Sequence, residues 1–359
     1  FDEATRIADF NLDTLPSATL GSHDLVRTYS YTADFLTYRK CPRNYMVFRT
    51  YGFQPSRSQT MFFGTLVHRT LEDLHNHLIA SKKNGTNGEQ ITTEAFIDAV
   101  FEDNYESLRA DEGRAIAPDV KETARQQVQL YWQKMHAIAK SITDTEVKLC
   151  LPNQRTPRGL TYSIEGVVDI VRDDEQTVMY DIKTHDGDYV RANSDVYTNQ
   201  LNVYAHIWHE LRGQPLDGCA IIATDYPNSV KRALALEDEE ALEQALLEWD
   251  PLVPVRHNAE QVQQTVRDFG QVVDEIENKA FRPPPLSVLK RRLHGNETFA
   301  TRVCRNCDAR FSCSSYAAFA FSPDGPRNEQ YFNLYFDEAI QEGWRTAGLN
   351  AKQRIEITA

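Results

Sequence analysis

The sequence predicts an α/β fold, with helical segments on both sides of a strand-rich centre. Three observations predict it. Leu66, Leu71, Leu74 and Leu78 recur near helical spacing in the first half. The stretches TEVKLCLP, GLTYSIEGVVDIVRD and TVMYDIKT are short, rich in β-branched residues and separated by turn-like segments. Helical patterning then returns over VYTNQLNVYAHIWHELRG and again beyond residue 237. A chain of 359 residues, 41% apolar and 25% charged, has the balance of a soluble globular protein that buries a real core. No apolar run approaches the roughly 20 residues that cross a bilayer, and no basic-then-apolar leader is present. A cytoplasmic protein without a membrane span is therefore expected.

In chain order, residues 1–30 are polar and irregular and read as a linker or arm. Residues 31–50 are helical but interrupted at Cys41-Pro42, where proline at a first turn starts a second short helix. FFGTLVHRTLEDLHNHLIA (62–80) is the third helix, closed by the loop-like SKKNGTNGEQ. Two more helices follow, one capped by Thr92 or Thr93, the other over KETARQQVQLYWQKMHAIAKSI. The helical part 31–142 then gives way to strands over 143–226, with a helix ended by Gly213 and a further strand at GCAIIATDY. Helices return over 237–249 and 258–279 in a part that extends to residue 320, and RPPPLSVLKRR reads as a rigid extended connector. Residues 321–359 form a C-terminal extension with one helix near 336–345. No repeat or low-complexity tract is present.

The net charge of −13 argues against a protein that coats nucleic acid by bulk attraction, though not against a locally basic groove. Basic residues do gather near the cysteines: Arg39, Lys40, Arg43 and Arg49 in one place, Lys290, Arg291, Arg292, Arg302, Arg305 and Arg310 in another. Each reads equally well as solvated surface charge.

The chemistry lies in two strand segments. Asp169 ends GVVD, and Asp181 and Lys183 sit in YDIK with Ile182 between them. Alternation along a strand sends Asp181 and Lys183 to one face and Ile182 to the other. A hairpin turning at 172–176 would bring Asp169 opposite Asp181. Two carboxylates so placed repel unless a divalent cation joins them. Mg²⁺ or Mn²⁺ with oxygen ligands, and a lysine beside it, is what phosphodiester hydrolysis requires. The lysine can position the water, stabilise developing charge, or take a proton if its pKa is depressed. The competing reading is an ordinary ion pair at a sheet edge.

Nearby patterns add to this. His68 and Glu72 are four apart on a helix, hence on one face, suited to a metal-binding imidazole and a carboxylate that orients it. They suit a half-buried polar pair as well. His75 and His77 read as surface residues. Gln200 and Tyr204, again one turn apart, suit holding a phosphate or Lys183 in place.

Of six cysteines, Cys304, Cys307 and Cys313 fall within ten residues, which suggests metal or cluster ligation. Cys41 is the fourth candidate, since Cys150 and Cys219 sit in apolar strand-like runs and read as buried core. Four thiolates suit zinc or a [4Fe–4S] cluster. Structural zinc usually pairs CxxC with CxxC; the lone distant Cys41 and the five-residue gap before Cys313 fit the cluster better.

Together and in this order, the motifs resemble the RecB-like PD-(D/E)XK nucleases, and more narrowly the iron-staple branch found in helicase–nucleases and CRISPR adaptation exonucleases. The histidine motif is matched by Gly64 to Glu72, the acidic motifs by Asp169 and Asp181-Ile182-Lys183, the QxxxY helix by Gln200 and Tyr204, and the staple by Cys41, Cys304, Cys307 and Cys313. The resemblance covers about residues 31–316. It implies a restriction-endonuclease-like mixed sheet flanked by helices, a [4Fe–4S] staple joining the N- and C-terminal parts, and His68, Asp169 and Asp181 as Mg²⁺ or Mn²⁺ ligands. It also implies DNA as substrate, as single strands or duplex ends, in repair or in defence against foreign DNA. The stretch 29–75 looks especially like the C-terminal nuclease of superfamily 1 helicases. No GxxxxGK[ST] P-loop occurs, so a motor would lie in a missing N-terminal part or on a partner chain. Two other readings stand beside it: a non-catalytic DNA-binding or scaffold subunit that kept the fold, and a zinc-stabilised structural protein.

Overall fold

The leucine period from residue 66 becomes one helix in the computed structural model, α1 (Gln59–Lys83), with Leu66, Leu71, Leu74 and Leu78 all buried. Residues 27–56, 58–85, 93–256, 259–294 and 297–322 are described. They divide into two compact units: Val26–Tyr31 with Arg57–Gly270, and Thr32–Ser56 with the chain from Gln271 onward.

In the first unit, Ser58 caps α1 by accepting from the Met61 amide. Thr93 does the same for α2 (Glu94–Glu112), and Pro118 opens α3 (Pro118–Ser141); Thr92 lies outside the described residues. These three helices bury Phe62, Leu66, Phe101, Val128 and Tyr131 in one core with Ile170, Ile182 and Ile222 of the sheet. His75 belongs to this core rather than to the surface. It is fully buried, Nε2 lies 2.9 Å from the Tyr131 hydroxyl, and burial pushes its pKa down to about 3, so it is neutral. It follows Leu71 by four residues, which puts it on the apolar face. His77 is exposed, as expected.

The sheet is mixed, with strands β1 (Arg27–Ser30), β2 (Asp144–Arg155), β3 (Thr161–Asp173), β4 (Thr177–Asp186), β5 (Gly218–Asp225) and β6 (Leu252–Val255). The path β1-β3-β4-β5-β6 has parallel pairs at β1–β3 and β4–β5, and β2 lies antiparallel to β3. Two expectations are corrected here. Residues 27–30 are a strand, not part of an arm, because the edge of β3 offers them a ladder. Cys150 is exposed, not core, because the solvent-facing side of β2 carries it; Cys219 is buried as expected.

This unit's remaining helices are α4 (Gly187–Ala192), α5 (Ser194–Arg212), α6 (Asn228–Leu236) and α7 (Glu239–Glu248), and α8 (Ala259–Glu277) begins in it and ends in the second unit. Helix α5 packs on β2 and β3 and ends, as expected, at Gly213, whose φ of 70° needs no side chain. Among the described residues, no helix is long and apolar enough to cross a membrane.

In the second unit, the helical run over 31–50 breaks at Cys41, which is extended (φ −162°) and is followed by Pro42 at the first position of the helix Pro42–Tyr45. Residues 281–285 are neither helix nor strand, with Pro285 extended, but Leu286–Leu289 form a helical turn. Leu289, Phe299, Ala300, Tyr316 and Phe319 make a small core. Arg43 is not surface charge. It is buried, and its Nη2 donates to the Ser312 carbonyl at 2.6 Å. The proposed helix at 336–345 and most of the C-terminal extension lie outside the described residues.

Candidate active site

Asp169 sits where β3 changes partners. On one edge β3 pairs with β1 over 162–165 and with β4 over 170–173, so among the described residues 166–169 have no ladder partner on that side. The last β3–β4 pair is Ile170 with Tyr180, and one step further in that register Asp169 stands opposite Asp181. The hairpin forms as expected. At this step the Asp169 carboxylate replaces the ladder bond, accepting from the Ile182 amide at 2.6 Å. Ile182 itself joins the core beneath, while Asp181 and Lys183 meet each other, with Lys183 Nζ 2.6 Å from Asp181 Oδ2.

On its other edge β3 pairs with β2, and there Thr145 faces Ile170 and Val147 faces Val168. Glu146 therefore falls opposite Asp169, so Glu146, Asp169 and Asp181 form one row across three strands. Glu146 has φ 46°, a left-handed conformation unusual for a residue with a side chain, and the ladder is interrupted at this position. Burial pushes its carboxyl up to about 7, with the charges of Asp169 and Glu72 adding to the shift and Lys148 opposing it.

Helix α1 supplies the next pair. His68 Nδ1 is 3.8 Å from Asp169 Oδ1. One turn on, the Glu72 carboxyl is raised by burial, Asp73 and Asp169. Helix α5 supplies the last pair: Gln200 Nε2 donates to Asp181 Oδ1 at 2.9 Å and to the Tyr204 hydroxyl at 3.1 Å. Gln200 thus holds Asp181, the partner of Lys183, rather than Lys183 itself. Gly166 is what lets Tyr204 in, since a Cβ there would overlap its ring. Burial pushes the Tyr204 phenol up to about 12.

Electrostatically the site holds more negative charge than it balances. Burial raises the Asp181 carboxyl; Lys183 pulls it back and Asp169 pushes it up again. Burial works against the Lys183 ammonium, but Asp181 and Asp169 outweigh it and hold its pKa above the ordinary value. Four carboxyls and an imidazole brought near one another are donors that a divalent cation takes, and such an ion would relieve the repulsion that adds to burial in raising Glu72, Glu146 and Asp181. Among the described residues, no three His, Cys, Asp or Glu side chains stand close enough together to hold a metal as they are.

Glu146 gives a pH test. Its folded pKa of about 7 lies above the ordinary carboxyl value of 4.5, so the folded protein holds a proton the unfolded chain releases. That contribution is complete below pH 4.5 and is lost as pH rises through about 7. In EDTA, the Tm of the wild type is expected to fall relative to that of Glu146→Gln between these pH values. Parallel pH profiles for the two proteins would contradict the crowding described here.

In the second unit, Cys41, Cys304, Cys307 and Cys313 line one cavity of about 170 Å³. The Asn44 amide lies 3.5 Å from Cys41 Sγ, and its side chain donates to Cys307 Sγ at 3.4 Å. Burial pushes the Cys41 thiol up to about 11 and Cys304 up to about 12, and in both the charges of the other cysteines add to it. The four thiols line one small cavity, but as placed no three of them stand close enough to hold a metal. All eleven residues singled out from the sequence thus fall into two clusters. Glu146 was missed.

The family model described as PD-(D/E)XK nuclease superfamily matches residues 32–314. No curated protein matches the chain.

Proposed function

Since the chain belongs to the PD-(D/E)XK nuclease superfamily, we propose that it is a metal-dependent deoxyribonuclease of the RecB-like branch, cutting single strands or duplex ends. The observation that carries this reading is the row of Glu146, Asp169 and Asp181 with the Lys183 ammonium 2.6 Å from its last member.

In this reading Asp169, Asp181 and His68 hold Mg²⁺ or Mn²⁺, and Glu72 orients His68. Bound there, the ion supplies Lewis acidity at the phosphate and lowers the pKa of an attacking water. Lys183 enters as an ammonium, since both nearby aspartates favour its charge. It stabilises charge developing on the phosphoryl oxygens and orients the water. Gln200 and Tyr204 fix Asp181, and through it the ammonium. The four cysteines hold a [4Fe–4S] cluster, which when bound supplies a cross-link between chain segments far apart in sequence. A helicase motor, in the same polypeptide or on a partner, and a setting in DNA repair or defence complete the proposal. The resemblance of 29–75 to helicase-linked nucleases supports them.

The test is cleavage of end-labelled single- and double-stranded DNA with Mg²⁺, Mn²⁺ or EDTA. Cleavage is expected with either ion and none with EDTA. No cleavage with any divalent ion would overturn the proposal.

A further inference from the structure

We propose that His185 and Tyr189 form a stacking platform for an unpaired nucleobase beside the scissile phosphate; the proposal rests on the nuclease reading above. The β4–β5 ladder is irregular between Lys183 and Asp186, and β4 ends at Asp186, the last residue paired with β5. Asp186 caps α4 by accepting from the Tyr189 amide at 2.9 Å, which fixes Tyr189 in the first turn. Its ring then lies over His185, with centroids 4.6 Å apart and planes inclined by 42°. Both side chains are exposed, Tyr189 at 36%.

Proximity to the chemistry follows from Tyr197. Its buried ring centre is 5.9 Å from Lys183 Nζ, and His185 follows Lys183 by two residues in β4. The Lys183 ammonium also acts on His185. The platform is thus next to the residue that meets the phosphate.

The neighbours decide which part of a nucleotide fits. Asp186 and Asp225 oppose Lys183 at His185, and Asp225 is itself paired with Lys231 at 3.0 Å, so the spot offers a second phosphate no unopposed positive charge. An uncharged base face needs none, and aromatic side chains hold bases by stacking without regard to sequence. Bases in an intact duplex already stack on one another, so the platform takes a single strand or a frayed end. Single-stranded DNA is therefore the substrate class it selects.

The experiment compares wild type, Tyr189→Ala and Tyr189→Phe on a labelled single-stranded oligonucleotide and on copies in which one abasic residue is moved along the strand. At one position, the abasic substitution is expected to lower wild-type kcat/KM about tenfold, the scale of one lost base stack. Tyr189→Ala is expected to lose that factor on the intact strand and to show no further loss on the abasic one; Tyr189→Phe is expected to keep the discrimination. If Tyr189→Ala distinguishes the two strands as the wild type does, the platform is wrong. Should the wild type cut nothing, the nuclease reading fails separately, and 2-aminopurine fluorescence in EDTA decides. Quenching on binding that Tyr189→Ala abolishes keeps the platform, whereas equal quenching or none removes it. The side chain is exposed and the cap uses its main chain, so the variant is expected to fold, which circular dichroism checks.

Discussion

Replacing Lys183 by alanine is expected to lower metal-dependent cleavage by about 10²–10³-fold or more, the cost of losing one preorganised donor to transition-state charge. The same change leaves the buried Asp181 carboxylate facing Asp169 with no counter-charge. Removing one partner of a buried pair costs about 3–5 kcal/mol if the other stays charged. Asp181 escapes part of that by taking up a proton, because burial already raises its pKa. The variant's stability should therefore be greatest at acid pH and fall as pH rises through the raised Asp181 value. The double variant Asp181→Asn/Lys183→Met removes both charges, so it should regain stability while remaining inactive. Unreduced cleavage by Lys183→Ala would remove the site assignment. If the double variant proved no more stable than the single one, the electrostatic explanation would fail and the catalytic one would stand.

The second large effect concerns the cysteine cavity. Cys304→Ser is expected to lower stability by about 3–5 kcal/mol, by analogy with a cross-link that closes a long loop. For a chain of this size that is a fall in Tm of about 4–7 °C. The wild-type protein, purified without chelators, should be brown and hold iron and sulfide; the variant should be pale. Cys150→Ser, on an exposed strand position outside the cavity, should change neither stability nor colour. A colourless, zinc-containing wild type would overturn the cluster, and a fully stable Cys304→Ser would overturn the staple.

Much of the site could be read from residue order because its main determinants are local. Alternation in YDIK already places Asp181 beside Lys183, and helical spacing already pairs His68 with Glu72 and Gln200 with Tyr204. The leucine period located α1 for the same reason. What stayed hidden depends on contacts between distant segments. Glu146 looks like any acidic residue in a strand; only the β2–β3 register sets it opposite Asp169. That register could not be counted in advance because β2 is irregular between Leu151 and Gln154. The four residues of β1 carry too little pattern to announce a strand and gain one from the exposed edge of β3. Arg43 looked like solvated charge until the Ser312 carbonyl, far along the chain, gave its guanidinium a buried acceptor. His75 shares the face of Leu71, so its position in the helix announces burial although its side chain is polar.

A divalent cation shared by acids from neighbouring strands is the centre of the proposal, and Mn²⁺ titration followed by calorimetry or electron paramagnetic resonance, without DNA, tests it most directly. The wild type should bind Mn²⁺ and release it to excess Mg²⁺, whereas Asp169→Asn and Asp181→Asn should each lose that binding while remaining folded. Equal Mn²⁺ binding by all three proteins would show that these carboxylates share no ion.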